Sequence, residues 1–395
     1  MKGKTFETKK VYIVLSLITL ISATLALLIS NGKLFQVLFF IDPDDTGMDF
    51  FNSLIEVHTG KPYSQFHVLY PPFANLFFYA LQLFVPDSFK ENWPTSHEEA
   101  KLTVGTHTDV RLMQSTMVLF LLFLIITLFM IAVMIHSQTK SYLLTFCLVF
   151  SAGTLQAIER GNVILLAFLL TLYFVKHYQD ENRFTSELAL FALACAFGFK
   201  LYPCIFGILL LKDRKWAAAG RTILYAILVT ILPTFLFEGP GCLTSWLRSI
   251  SSFGGVTPAE TISNASGNSF PLRIITITLL GAFLLVLCFV RRNRKPILQI
   301  QTSQFLFLTT YFALILTNGT DNYNLLFFVI PFLSFLQEEK ALNRYNIIEF
   351  IVYLVCLLPV GINNISPLFF ALYMIGVVCN QFSSRNIGHH ETSNR

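Results

Sequence analysis

Charge is what this 395-residue chain has least of: Asp, Glu, Lys and Arg make up 13% of it, against 54% hydrophobic residues, and the mean hydropathy is +0.62. That balance excludes an ordinary soluble domain. The net charge of +5 carries no nucleic-acid signal, because the bases cluster beside apolar runs, and no nucleic acid is expected as a partner. Cysteine is sparse as well, with seven residues and no C-x-x-C pair. Cys147, Cys195, Cys204, Cys288, Cys356 and Cys379 fall in apolar runs and only Cys242 lies in a loop, so buried thiols are expected and neither disulfides nor a metal site. A Gly-rich phosphate loop and a soluble nucleotide-binding domain are both missing, which argues against a nucleotide as direct substrate or cofactor. No internal repeat is evident either, and with it goes the usual mark of a secondary transporter.

What the chain has is a succession of apolar runs, carrying 41 Phe. The expected fold is an all-α polytopic membrane protein with about twelve transmembrane helices (roughly ten to thirteen), a single integral domain over 1–395. The runs cover about 11–30, 70–86, 112–135, 141–158, 161–177, 187–211, 219–237, 269–290, 303–317, 323–337, 346–360 and 366–382. The basic N-terminus MKGKTFETKK precedes a run too long for most signal peptides, so it reads as an uncleaved first span with a cytoplasmic N-terminus. Counting Lys and Arg from there places 87–111, Arg160, 212–221, 291–295, 337–346 and the tail 383–395 on the cytoplasmic side. Lys33, Lys61, Lys140, Lys176, Arg183 and Arg248 fall outside. The loops 31–69 and 238–268 then form an extracytoplasmic active-site face, in a cell membrane, plasma or inner.

The polar stretch IDPDDTGMDFFNSLIEVHTGKPYSQFHVLYPP organises the rest. It concentrates Asp42, Asp44, Asp45, Asp49 and Glu56 between two apolar runs. The first three carboxylates lie in a Pro- and Gly-containing turn, where Asp is at home through local backbone bonding. Asp49 follows that turn among apolar residues at helical spacing, so a short interfacial helix is expected to present it to water. Tyr70-Pro71-Pro72 closes the stretch and opens a helix.

Ionisable residues inside apolar runs are costly and become candidates by that fact. Lys200 stands in Phe199-Lys200-Leu201-Tyr202-Pro203, where Pro203 is expected to break the helix. Its ammonium either pairs with a carboxylate or binds an anion. Glu159-Arg160-Gly161-Asn162 reads either as a tight turn with an internal ion pair or as a second functional cluster. Loop 238–268 reads as a linker or a substrate-facing loop, with one amphipathic turn around Trp246.

Taken in order, the Asp-Phe-Phe-Asn segment at Asp49, Gly60-Lys61-Pro62-Tyr63, Tyr70-Pro71-Pro72, Gly161-Asn162 and Phe199-Lys200-Leu201-Tyr202-Pro203 resemble glycosyltransferase family 87, of the glycosyltransferase C superfamily. The resemblance runs over about 10–340. It implies a polyprenyl-phosphate-sugar-dependent mannosyltransferase-like enzyme with Asp49 on the catalytic aspartate of the first loop. Tyr70, Asn162 and Tyr202 fall on recurring motifs and are expected to contact substrate. Two departures stand out. Many members read Gly-Gln-x-Asn where this chain has Arg160-Gly161-Asn162, and a His-bearing late loop where this chain has NGTDNYN, so Asp321 and Tyr323 are expected to contact substrate in a different role.

The same residues suit the chemistry of moving a sugar off a lipid phosphate. A base must take the proton of the acceptor hydroxyl, and cations must hold the departing phosphate. Asp49 is the expected base and Lys200 the phosphate partner, with Arg160 or Arg273 assisting. A single base opposite the leaving group implies inversion. The expected partners are the lipid bilayer, a polyprenyl-phosphate sugar as donor substrate and a glycolipid or glycan acceptor, with no cofactor or metal. The competing readings are an envelope polysaccharide polymerase or ligase and a transporter of lipid-linked substrates.

Overall fold

The computed structural model describes residues 6–34, 46–96, 113–253, 269–289, 300–316, 322–343 and 346–360, with residue 99 and the short pieces 291–292, 295–296 and 373–374. Asp42, Asp44, Asp45, Asp321, the tail 383–395 and nearly all of the expected span 366–382 lie outside the described residues. Among them the elements are helices, apart from two minimal antiparallel ladders, Phe6–Glu7 with Ala341–Leu342 and Arg291–Arg292 with Lys295–Pro296. Among the described residues three helices are long and apolar enough to cross a bilayer alone: Thr8–Ile29, Gln114–Thr139 and Trp216–Leu236. The pair Tyr142–Val149 and Ala152–Arg160, bent by 55°, makes a fourth if it acts as one span. Shorter apolar helices add Ile164–His177, Tyr202–Lys212, Ile277–Phe289, Thr302–Ile315, Tyr323–Glu338 and Ile347–Leu357.

The chain groups into two compact units, one of residues 1–41, 135–156 and 276–395, the other of 42–134 and 157–275. In the first, helix Thr8–Ile29 is 22 residues long, about 33 Å, matching the hydrocarbon thickness. Tyr12 anchors it, fully buried, its hydroxyl donating to the Leu357 carbonyl at 3.2 Å and its ring 4.7 Å from that of Phe332. Glu338 caps helix Thr302–Leu316 by accepting from the Thr302 amide at 2.9 Å and from the Ser303 hydroxyl.

In the second unit two expected passes take a different course. Helix Pro72–Gln82 has 11 residues, about 16 Å, too short to cross, and the chain after it brings the Trp93 ring to 5.6 Å from His58. Residues 58 and 93, assigned to opposite sides by counting bases, are therefore neighbours. The stretch 187–211 is not one pass either. Helix Arg183–Phe199, capped by Asn182 through the Phe184 and Thr185 amides, ends at Lys200, and Pro203 sits in the 3-10 turn Tyr202–Gly207 that follows, the break expected from sequence. The chain then doubles back, since Lys215 Nζ donates to the Tyr178 carbonyl at 3.0 Å and the Tyr178 hydroxyl to Asp213 at 2.8 Å. Among the thiols, Cys242 is fully buried although it was expected in a loop, while Cys204 is exposed.

Candidate active site

Asp49 occupies the first turn of helix Met48–Glu56, where the positive end of the helix dipole favours a carboxylate. Its side chain is 17% exposed. Arg160 Nη2 donates to Asp49 Oδ1 at 2.7 Å, and Asn162 Nδ2 donates to Oδ2 at 2.5 Å. Asn162 is itself buried and held, its Oδ1 accepting from the Ile164 amide at 2.9 Å where helix Ile164–His177 begins. A guanidinium and a fixed amide thus orient the carboxylate through one lone pair on each oxygen, and the remaining lone pairs can accept a hydroxyl proton. This contact also corrects the sidedness read from sequence, because groups 2.7 Å apart cannot lie on opposite faces of a membrane.

Backbone shape at two glycines brings the segments together. Gly47 (φ +73°) precedes the Asp49 helix and Gly161 (φ +64°) separates Arg160 from Asn162. The Gly47 amide donates to the Glu159 carbonyl at 2.7 Å, and the Thr46 hydroxyl to the Glu159 carboxylate at 2.8 Å. A Cβ on Gly161 would stand 2.7 Å from Phe120 Cε2 and 2.9 Å from Phe50 Cβ, so only glycine fits the turn without displacing the aromatic floor. That floor is Phe50, fully buried, with the rings of Phe51, Phe78, Phe120 and Phe123 between 5.3 and 5.6 Å away.

Phe78 carries the floor to a second cluster, its ring 6.5 Å from that of Tyr70. Lys200 Nζ lies 4.6 Å from the Tyr70 ring centroid, within cation–π reach. The Lys200 backbone is set by helix Arg183–Phe199, packed close against Pro72–Gln82: Phe73 and Phe199 rings are 5.1 Å apart, and a Cβ on Gly198 would meet Phe73 at 2.9 Å. Tyr202 follows, buried at the start of the 3-10 turn. Asp49, Arg160 and Asn162 are therefore brought together, and Lys200 joins Tyr70. Tyr323 is the second residue of the 3-10 helix Asn322–Phe328 in the other unit, and Arg273 lies in helix Ser269–Phe289 with its side chain outside the described residues.

Sequence reasoning missed what holds Tyr70. Glu238 Oε1 accepts from the Tyr63 and Ser64 amides at 2.9 and 2.8 Å, and Trp246 Nε1 donates to the Leu69 carbonyl at 3.1 Å. The amphipathic turn around Trp246 was legible; Glu238 carried no signal, because its partners are amides 174 and 175 residues away.

Glu56, half-buried at the far end of the Asp49 helix, has its carboxyl pushed up to about 7 by partial desolvation, with the Asp49 charge adding to the rise. The folded state thus binds this proton more tightly than the unfolded chain. The stabilisation is complete below the ordinary carboxylate range and is lost as pH rises through about 7. Glu56→Gln, which cannot ionise, should show a higher Tm than the parent at pH 8, the gap closing by pH 5; a constant gap across that range would contradict the assignment.

A membrane-embedded helical protein with an oriented carboxylate beside a guanidinium, and a lysine held against a tyrosine nearby, is the class that fold and site define. The chain belongs to glycosyltransferase family 87, whose family model matches residues 68–336, more than half of its length. No curated protein and no solved structure matches it.

Proposed function

We propose that this membrane glycosyltransferase moves a sugar, mannose by the family resemblance, from a polyprenyl-phosphate donor to a lipid or glycan acceptor at the extracytoplasmic face, with inversion. The observation that carries the reading is the Asp49 carboxylate, pinned by Arg160 and Asn162 on a floor shared with the Tyr70–Lys200 pair. Asp49 removes the acceptor hydroxyl proton as the acceptor oxygen bonds to the anomeric carbon. The bond from that carbon to the phosphate oxygen breaks, its electron pair leaves with the phosphate monoester, and Lys200 takes up the added charge. Arg160 orients Asp49, so the phosphate role rests on Lys200, with Tyr70, Asn162 and Tyr202 lining the substrate and Arg273, Asp321 and Tyr323 as further contacts. Gln, common at the Arg160 position in the family, also donates a hydrogen bond, which fits an orienting role.

The facing is supported by the helices of the second unit. Helix Ile164–His177 runs from Asn162 at the site to Lys176 and His177, 14 residues or about 21 Å away, and helix Arg183–Phe199 runs back to Lys200. The far end carries Lys176, Arg183, Lys212, Arg214 and Lys215, the excess expected on a cytoplasmic face. Single cysteines at Gln65 and Asn92 in a cysteine-free background should then label from outside, and at Gln179 and Lys215 from inside. Labelling of Gln65 and Asn92 from opposite sides would contradict the return of the chain after Gln82. The activity is tested by giving purified protein polyprenyl-phosphate mannose, a nucleotide sugar or a lipid-diphosphate oligosaccharide with an acceptor panel. Turnover of the monophosphate donor alone is expected; preference for the diphosphate would mark a polymerase or ligase, and sugar flux without a new bond a transporter.

A further inference from the structure

Loop 238–253 follows the last long helix of the second unit and bears no residue assigned to chemistry. Its side chains nevertheless grip the first loop at two places. The Glu238 carboxylate caps helix Pro62–Phe66 by accepting from two consecutive amides, Tyr63 and Ser64. Helix Cys242–Phe253 lies one face inward, with Cys242, Trp246 and Ser249 buried at helical spacing and Leu247 and Arg248 exposed. From that face the Trp246 indole N–H reaches the Leu69 carbonyl, the residue before Tyr70. Buried Tyr63 completes the grip, its hydroxyl donating to the Tyr70 carbonyl at 3.0 Å. Tyr70 is therefore held from both sides while its ring faces Lys200 Nζ.

We propose that 238–253 is a strap, with Glu238 and Trp246 as positioning residues that set Tyr70 over Lys200 and so shape the pocket for the donor's phosphate. The inference rests on the reading of Lys200 as the phosphate partner, but the placement of Tyr70 over Lys200 can be measured without any donor. A hydrogen bond from an indole N–H fixes a backbone carbonyl, and a carboxylate on two amides fixes the start of the same segment, so Tyr70 has little freedom to leave the ammonium.

The test uses full-length protein in lipid nanodiscs and a brief pulse of acetic anhydride, with acetylation of Lys200 read by mass spectrometry against Lys215. Trp246→Phe, which removes only the indole N–H donor, and Glu238→Ala should each raise the Lys200-to-Lys215 ratio by about two- to tenfold, the range expected from losing a hydrogen bond. Glu238→Gln, which keeps an acceptor oxygen, should stay near the parent, and Tyr70→Ala should give the largest rise. A merely structural role would raise both lysines together. With polyprenyl-phosphate mannose, Trp246→Phe should raise KM by a similar factor while kcat stays within about twofold. An unchanged ratio in Trp246→Phe and Glu238→Ala, with a rise in Tyr70→Ala, would overturn the strap. No turnover of that donor by the parent, with the labelling pattern intact, would overturn the assigned donor and leave the strap standing.

Discussion

Asp49→Asn should lower the turnover number by roughly 10²- to 10⁴-fold, the range typical of a lost general base, with donor affinity nearly unchanged. The amide keeps the size of the carboxylate but cannot take the acceptor proton. Its hydrogen bonding is also mismatched. Both groups at the carboxylate are donors, Arg160 Nη2 and Asn162 Nδ2, so the new NH2 must face one of them. That mismatch should cost about 1 kcal/mol and a small fall in Tm, with the fold intact. Steady-state kinetics, thermal unfolding and donor binding on the purified variant separate these effects. Full activity of the Asn variant would remove Asp49 from the mechanism and turn attention to Glu56.

Lys200→Ala should reduce kcat/KM by about 10- to 100-fold and weaken binding of a polyprenyl monophosphate, because a charge-assisted hydrogen bond contributes on the order of 1.5–3 kcal/mol. Lys200→Arg should recover part of the loss: the charge survives, but a planar guanidinium replaces a compact ammonium beside the Tyr70 ring. Isothermal titration with the monophosphate, alongside kinetics, distinguishes the roles. Unchanged kinetics with a lower Tm would make Lys200 a structural cation held against Tyr70.

Both candidate side chains were legible in the sequence for the same reason, as charged groups that an apolar chain must account for. The break at Lys200 was legible too, since Pro203 cannot continue a helix. Sidedness was not. Counting bases needs every pass to be a pass, and the apolar run at 70–86 holds a helix of only 11 residues after which the chain returns to His58. That count set residues 58 and 93, and Asp49 and Arg160, on opposite sides although each pair is in contact. The run at 187–211 hid a second reversal, since the chain after Lys200 returns to Tyr178. The pairing of Arg160 with Asp49 lay beyond the sequence because it depends on two left-handed glycines, Gly47 and Gly161, meeting across 114 positions. Similarly, nothing in the composition of loop 238–268 marks Glu238 as a cap for amides in the first loop.

Product analysis bears most directly on Asp49-centred transfer from a lipid monophosphate. Purified protein in nanodiscs, given polyprenyl-phosphate mannose and a glycolipid acceptor, should release one polyprenyl monophosphate per sugar transferred. The new glycosidic bond should have the opposite anomeric configuration to the donor, and both signals should fall together in Asp49→Asn. Retained configuration, release of a lipid diphosphate, or undiminished product from Asp49→Asn would contradict the mechanism.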